Sequence, residues 1–229
     1  IAFSGDSSYS FGSGQISSTN WIVGGTSYPE TYQSALPIAS SYASLTSKAL
    51  QGGITPTDLA SVCTLSNCTL PANLPHGIYR ANGNVVLNAY TFPSNQSYVF
   101  LINGNLTVNG TILVPRGSSA VFAVTGDIIV DSTVGTTDSS VTPGIEGIYT
   151  TNRSFIVNSA GVCADKRLNI GGSVVVNAAA TGGTFQNNRD LCDGDRLYPT
   201  ISFVQRLDFL FSLPPFLRSA NTYSWEAAP

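Results

Sequence analysis

Residues 189 to 196 read RDLCDGDR, which places three carboxylates, Asp190, Asp193 and Asp195, within six residues and beside a glycine that permits a tight turn. Hard oxygen donors at this density are what a calcium ion accepts. The spacing is not that of an EF-hand, and Arg189 and Arg196 supply compensating charge. A structural loop tied down by Cys192 therefore competes with a calcium site. His76, the sole histidine, sits in LPHGIY next to a proline. Serine and cysteine nucleophiles need such a base, but no G-x-S-x-G surrounds a serine, and an exposed turn residue is the simpler reading. Asp127 and Asp131 are carboxylates inside one copy of a strand-like pattern. A polysaccharide lyase or hydrolase gathers several carboxylates with Arg or Lys on one face. Here the aligned positions carry Asn84, Asn105, Ser154 and Ser173, so no such cluster is expected.

The elements that must position these residues announce themselves by repetition. GNVVLN (83 to 88), GNLTVN (104 to 109), GDIIVD (126 to 131), RSFIVN (153 to 158) and GSVVVN (172 to 177) share one pattern. Their closing residues, Asn88, Asn109, Asp131, Asn158 and Asn177, are spaced 21, 22, 27 and 19 apart. That period suits one coil of a β-solenoid. Within each copy the apolar residues lie two apart, as in Val85 and Leu87 or Phe155 and Val157, so one face points inward. The closing Asn or Asp is expected to turn the corner through its tolerance of positive φ. A longer match, HGIYRANGNVVLN (76 to 88) against EGIYTTNRSFIVN (146 to 158), fixes the register, and the insertion at 135 to 147 should loop outward. The fold class expected is all-β: a parallel β-solenoid of about five coils with a 21- to 22-residue period and a small N-terminal α/β cap.

Three segments follow. Residues 1–69 form the cap, with edge strands around Phe3, Tyr9, Phe11, Trp21 and Val23 and a helix from Pro37 through Ile38, Tyr42, Leu45, Ala49 and Leu50 to Gly52-Gly53. A second short helix at 55 to 63 would be capped by Thr55. Residues 70–188 are the solenoid. Residues 189–229 pack across its other end or along a face. Within them Phe209, Phe211 and Phe216, with Trp225 and Trp21, are candidate interaction residues; the two tryptophans also suit anchoring roles in their own segments.

Only 10% of the 229 residues are charged and the net charge is -3. With basic residues scattered singly, nucleic acid is a poor partner. No apolar run reaches the roughly 20 residues of a membrane span. The chain starts at Ile1 rather than Met, which fits a processed segment. Cys63 with Cys68 and Cys163 with Cys192 are the closest pairings of the three possible, and bridging them implies an oxidising, extracellular compartment. Sequons at Asn67, Asn95, Asn105, Asn109 and Asn152 are glycosylation candidates.

The ordered motifs GIY…NGNV, FLINGNLTVNGTI, AVFAVTGDIIVD, IEGIYTTN, NNRDL, FVQRLDFLF, PPFLR and WEAAP, spanning about 70 to 229, resemble large secreted surface proteins of bacteria of the candidate phyla radiation (Patescibacteria). Leu207 stands where that group has Pro between Arg206 and Asp208, and Ala227 where it has Val. The resemblance implies a cell-surface location and this architecture, and it carries no catalytic residues. The function expected is a non-enzymatic extracellular structural module, a filament or surface-layer subunit that associates with itself or other surface proteins. In one variant residues 1 to 25 add a strand to a neighbouring copy. The competing classes are a carbohydrate-binding or polysaccharide-cleaving β-helix protein and a calcium-dependent adhesin.

Overall fold

The computed structural model describes residues 41–161, 163–177, 182–192, 194 and 197–217. It is a parallel β-solenoid of about five turns with a single short helix on its N-terminal side. Seven strands of the larger sheet stack in chain order: β1 (Thr57–Asp58), β2 (Gly77–Asn82), β5 (Ser97–Asn103), β8 (Ser119–Val124), β10 (Ile145–Thr151), β12 (Leu168–Val176) and β14 (Ile201–Val204). The smaller sheet stacks β3 (Val85–Leu87), β6 (Leu106–Val108), β9 (Ile128–Val130), β11 (Phe155–Val157) and β13 (Phe185–Asn187). The short strands β4 (Tyr90–Thr91) and β7 (Ile112–Leu113) join the larger sheet at its margin. Parallel pairing thus runs from Thr57 to Val204, and the outer turns of the solenoid are built from residues of the segments 1–69 and 189–229.

Alternation makes the bore. In β3, β6, β9 and β11 the first and third residues are buried and the middle one is half-buried, as period two requires. In the larger sheet, Tyr79, Phe100, Phe122 and Tyr149 occupy matching register positions, and their rings stack at 5.5, 5.0 and 5.0 Å. Burial keeps their neighbour Tyr98 protonated, pushing its phenol up to about 12. Its hydroxyl donates to the Leu74 carbonyl at 3.0 Å.

The strands β5 and β8 are apolar on both faces, reading YVFLI and AVFAV. A second apolar layer must therefore cover their outer side. That layer is helix α1 (Tyr42–Gln51), through Leu45 and Ala49, together with Leu213, Phe216 and Leu217, all packed on Ile78, Val99, Leu101, Val121 and Ala123. The expected helix is present from Tyr42, and the Pro37 to Ala39 part of the expectation lies outside the described residues. Ser41 is its N-cap, in extended geometry, and its hydroxyl accepts from the Ser44 N–H at 3.2 Å. Leu50 faces water at 64% exposure, so the apolar stripe is narrower than the sequence spacing implies. Gly52 and Gly53 end the helix, Gly53 in the left-handed region. The expected helix at 55 to 63 is a single 3-10 turn at Leu59–Ser61, capped by Asp58 rather than Thr55. The edge strands expected at 1 to 25 lie outside the described residues.

Three further expectations are corrected. The copy GSVVVN belongs to β12 of the larger sheet: Val174 and Val176 pair with Tyr149 and Thr151, and the Asn177 N–H donates to the Thr151 carbonyl. The fifth copy in the smaller sheet is β13, with Asn188 as its closing residue. The closing Asn and Asp residues do not use positive φ. That conformation falls on the glycines before the strands, Gly83 and Gly104 among them. At Gly104 a Cβ would lie 2.5 Å from the Gly83 carbonyl, so two successive coils touch there through bare backbone. The insertion does not project outward. Thr136 and Arg167 form an antiparallel bridge that folds it back, and Ile145–Gly147 already belong to β10.

At the N-terminal end of the solenoid the bore is filled: Leu59, Cys68, Leu70 and Leu74 are buried in the core, the Cys63–Cys68 disulfide fastens the chain, and Cys68 bridges to Leu87. Residues 205–217 run along the flank of the larger sheet as a strap that contains the short helix α2 (Asp208–Ser212).

Candidate functional site

The corner between the two sheets carries the row that a catalytic reading would need. The Asn84 side-chain oxygen accepts the Asn105 N–H, and the Asn105 oxygen accepts the Asp127 N–H. The Asp127 carboxylate accepts the Ser154 N–H, each at 2.9 Å, and the Ser154 hydroxyl accepts the Thr184 N–H at 3.1 Å. Each polar side chain supplies the backbone of the next coil. Thr184 occupies the place assigned to Ser173, which is exposed and pairs with Ile148 in the larger sheet. Arg153 approaches Asp127 at 3.7 Å but is 62% exposed, a contact that water screens.

On the far side of the smaller sheet the closing residues form a second row. Asn88, Asn109, Asp131, Asn158 and Asn188 donate backbone N–H groups to the coil before. The Asn88 side chain donates to Asn67 and Thr69, and the Asp131 carboxylate accepts the Thr133 N–H at 2.9 Å. Asp127 and Asp131 thus serve turns and coil contacts at opposite ends of β9, and His76 is exposed at the entry to β2.

The richest polar cluster lies behind the insertion. Arg189 is 6% exposed, and its guanidinium donates to the carbonyls of Asn158 (3.1 Å), Lys166 (2.7 Å) and Asp131 (2.9 Å). Burial pulls its pKa down, opposed by the charges of Asp165 and Asp131. Burial alone would raise Asp165, yet N–H donors from Ala160 and Asp190, the Ser159 hydroxyl and the Arg189 charge hold it below the usual carboxylate range. Asn169, fully buried, donates to the Ser140 and Thr142 carbonyls and accepts from the Ser202 hydroxyl. Arg167 donates to the Asp138 carbonyl at 3.0 Å and lies over the Tyr198 ring. Between insertion and coil runs an open groove of about 790 Å³ lined by Thr136, Asp138, Asp165, Lys166 and Tyr198.

Cys163–Cys192 closes this corner, and both expected disulfides are present. The Asp190 carboxylate accepts the Cys192 N–H at 2.7 Å in a turn of its own. Asp193 and Asp195 lie outside the described residues, and no group of three or more His, Cys, Asp or Glu side chains fit for a metal occurs among the described ones.

The strap is held by a second arginine. Arg206 grips Asp208 through two hydrogen bonds of 2.8 and 2.7 Å, bonds Glu146 at 2.5 Å and donates to the Val114 carbonyl at 3.0 Å. Glu146 in turn accepts the Val114 N–H, and Arg206 stacks over Phe209 at 4.4 Å. The Asp208 hydrogen bonds hold Arg206 protonated against burial, and Arg206 holds the Asp208 carboxyl low. Leu207, between the two, does not interrupt the pair.

Among the interaction candidates, Phe209 is 2% exposed inside the protein's own core and is unavailable to a partner. Phe216 packs beside α1, while Phe211 is 79% exposed. Trp21 and Trp225 lie outside the described residues. Of the sequon asparagines, Asn67, Asn95 and Asn109 are exposed, whereas Asn105 and Asn152 are half-buried, and Asn105 is committed to the corner row.

Sequence reasoning missed Arg189, Asn169 and Glu146 as organisers. Their partners lie 23 to 60 residues away, a distance at which no local pattern signals them. No helix among the described residues is long and apolar enough to cross a membrane. Comparison with protein-family models, curated proteins and solved structures found no match to this chain.

Proposed function

We propose that the protein is a non-enzymatic structural module of an extracellular surface. The observation that carries this reading is the use made of its polar side chains. The row from Asn84 to Thr184, the buried Arg189 and the Arg206 strap clamp all spend their hydrogen bonds joining one coil or segment to another. Rows that would present reactive groups instead bind backbone, which makes a stiff stack of coils with two disulfide staples. Disulfides of this kind persist in oxidising compartments, which supports a location outside the cell. Self-association, into a pair, a filament or a layer, belongs to this reading.

The groove beside Tyr198 favours a second reading, glycan binding, because it joins one aromatic ring with hydroxyls and carboxylates. A glycan array and a polysaccharide-depolymerisation screen on the purified chain separate the two. The structural reading expects neither saturable binding nor product. Binding lost on Tyr198→Ala would establish the second reading in its place.

A further inference from the structure

The two ends of the solenoid differ. At one, Leu59, Leu70 and Leu74 are buried at the first coil, a disulfide fastens the chain, and the terminal strand β1, paired only with β2, is just two residues long and carries Asp58. At the other, among the described residues, β13 pairs only with β11, and β14 only with the first part of β12. Gly172 to Val176 have a strand on one side alone. The ring column of the bore runs out there through Phe155, Phe185 and Phe203, with centroids 5.4 and 6.0 Å apart. Phe185, Phe203 and Val204 are 43, 52 and 43% exposed. Open sheet edges are ordinarily guarded by charge, proline or a bulge. These two read FQN and ISFV, with no charged residue and no proline.

Of the two places expected for the C-terminal segment, residues 205–217 take the flank and leave this end uncovered among the described residues. We propose that a second copy of the chain covers it, two molecules meeting tail to tail across β13 and β14. A two-fold axis perpendicular to the stack sets each β14 antiparallel to its counterpart, where backbone donors and acceptors match. An uncharged edge meets its own copy without repulsion, and each Phe203 and Phe185 gains an apolar neighbour. A two-fold contact uses the same edge of both molecules, so it saturates at two chains. The proposal rests on the structural reading above and specifies its self-association.

The test is the mass of the full-length chain by light scattering and sedimentation over a concentration series. The expected mass rises from 24.0 kDa to twice that value and stops there. In the full chain, Phe203→Lys and Phe185→Lys, at half-exposed positions that tolerate a polar residue, should weaken dimerisation at least a hundred-fold with an unchanged circular dichroism spectrum. Leu50→Lys and Val141→Lys, at exposed apolar positions elsewhere, should leave it intact. A monomer at every concentration, growth beyond two chains, or a dimer that survives both edge substitutions overturns tail-to-tail pairing. Filament growth would do so while leaving the structural reading standing, whereas glycan binding with a normal dimer would do the reverse.

Discussion

Replacing Arg189 by methionine keeps the length of the side chain and removes its charge. Three carbonyls, on Asp131, Asn158 and Lys166, then lose a charged donor in a place that water cannot easily fill. At about 1.5 kcal/mol net for each such bond the loss is about 4.5 kcal/mol. Relief from burying a guanidinium returns part of it, leaving about 3 kcal/mol. For a chain of this size each kcal/mol moves the melting temperature by about 2–4 °C, so a fall of about 6–12 °C is expected. Circular dichroism melts and guanidinium titrations read the change directly. Lysine keeps the charge but offers a single ammonium to three divergent carbonyls, so Arg189→Lys should recover less than half of the loss. A methionine variant within about 1 kcal/mol of the parent, or a lysine variant equal to it, would refute the stitching role.

Three other outcomes follow from the same structure. At Gly110 an added Cβ would lie 2.3 Å from the Ala89 nitrogen, backbone against backbone, so Gly110→Ala should cost about 1–3 kcal/mol in denaturant titration. Asp208 and Asp165 are both held below their ordinary value of 3.8. Their stabilisation is therefore complete above that value and is lost as pH falls through their lower folded values, so melting temperatures should drop below about pH 4 through these groups. Asp208→Asn should flatten that drop, and a variant with an unchanged acid profile would count against the clamp. Reduction of Cys163–Cys192, with a sequence separation of 29, should cost about 3–4 kcal/mol, against about 2 for the separation of five at Cys63–Cys68. Single Cys→Ala variants melted without reductant separate the two.

The bore was legible in the sequence because period two is local: Val85 and Leu87, or Phe155 and Val157, report their own burial. The aromatic stack was not among the expectations, although Tyr79 and Tyr149 fall at matching places in the longer repeat. What misled was that apolar alternation suits either sheet, so Val174 and Val176 read as a smaller-sheet strand when they extend β12. The strand that fills that place carries Phe185, Gln186 and Asn187, all exposed, and so lacks the apolar signature that burial writes. Arg189 looked like a counter-charge to its aspartate neighbours, because its carbonyl partners come together only after three coils stack. The corner row was visible as Asn, Asn, Asp and Ser, but its work is done toward backbone N–H groups, which have no letter in the sequence.

The side-by-side packing of α1 and the Pro215–Leu217 turn sets a load path. Tension applied at Tyr42 and Leu217 would cross the short apolar seam between helix and turn and leave the coils slack. To reach them from the Leu217 side, a pull must first strip the strap, breaking the Ser212 contacts and then the Arg206 clamp in turn. Beyond that point the stack would peel coil by coil from the β14 side, each step opening a few parallel strand bonds. A molecule so wired would yield in graded steps rather than snap, with the strap as its first mechanical fuse.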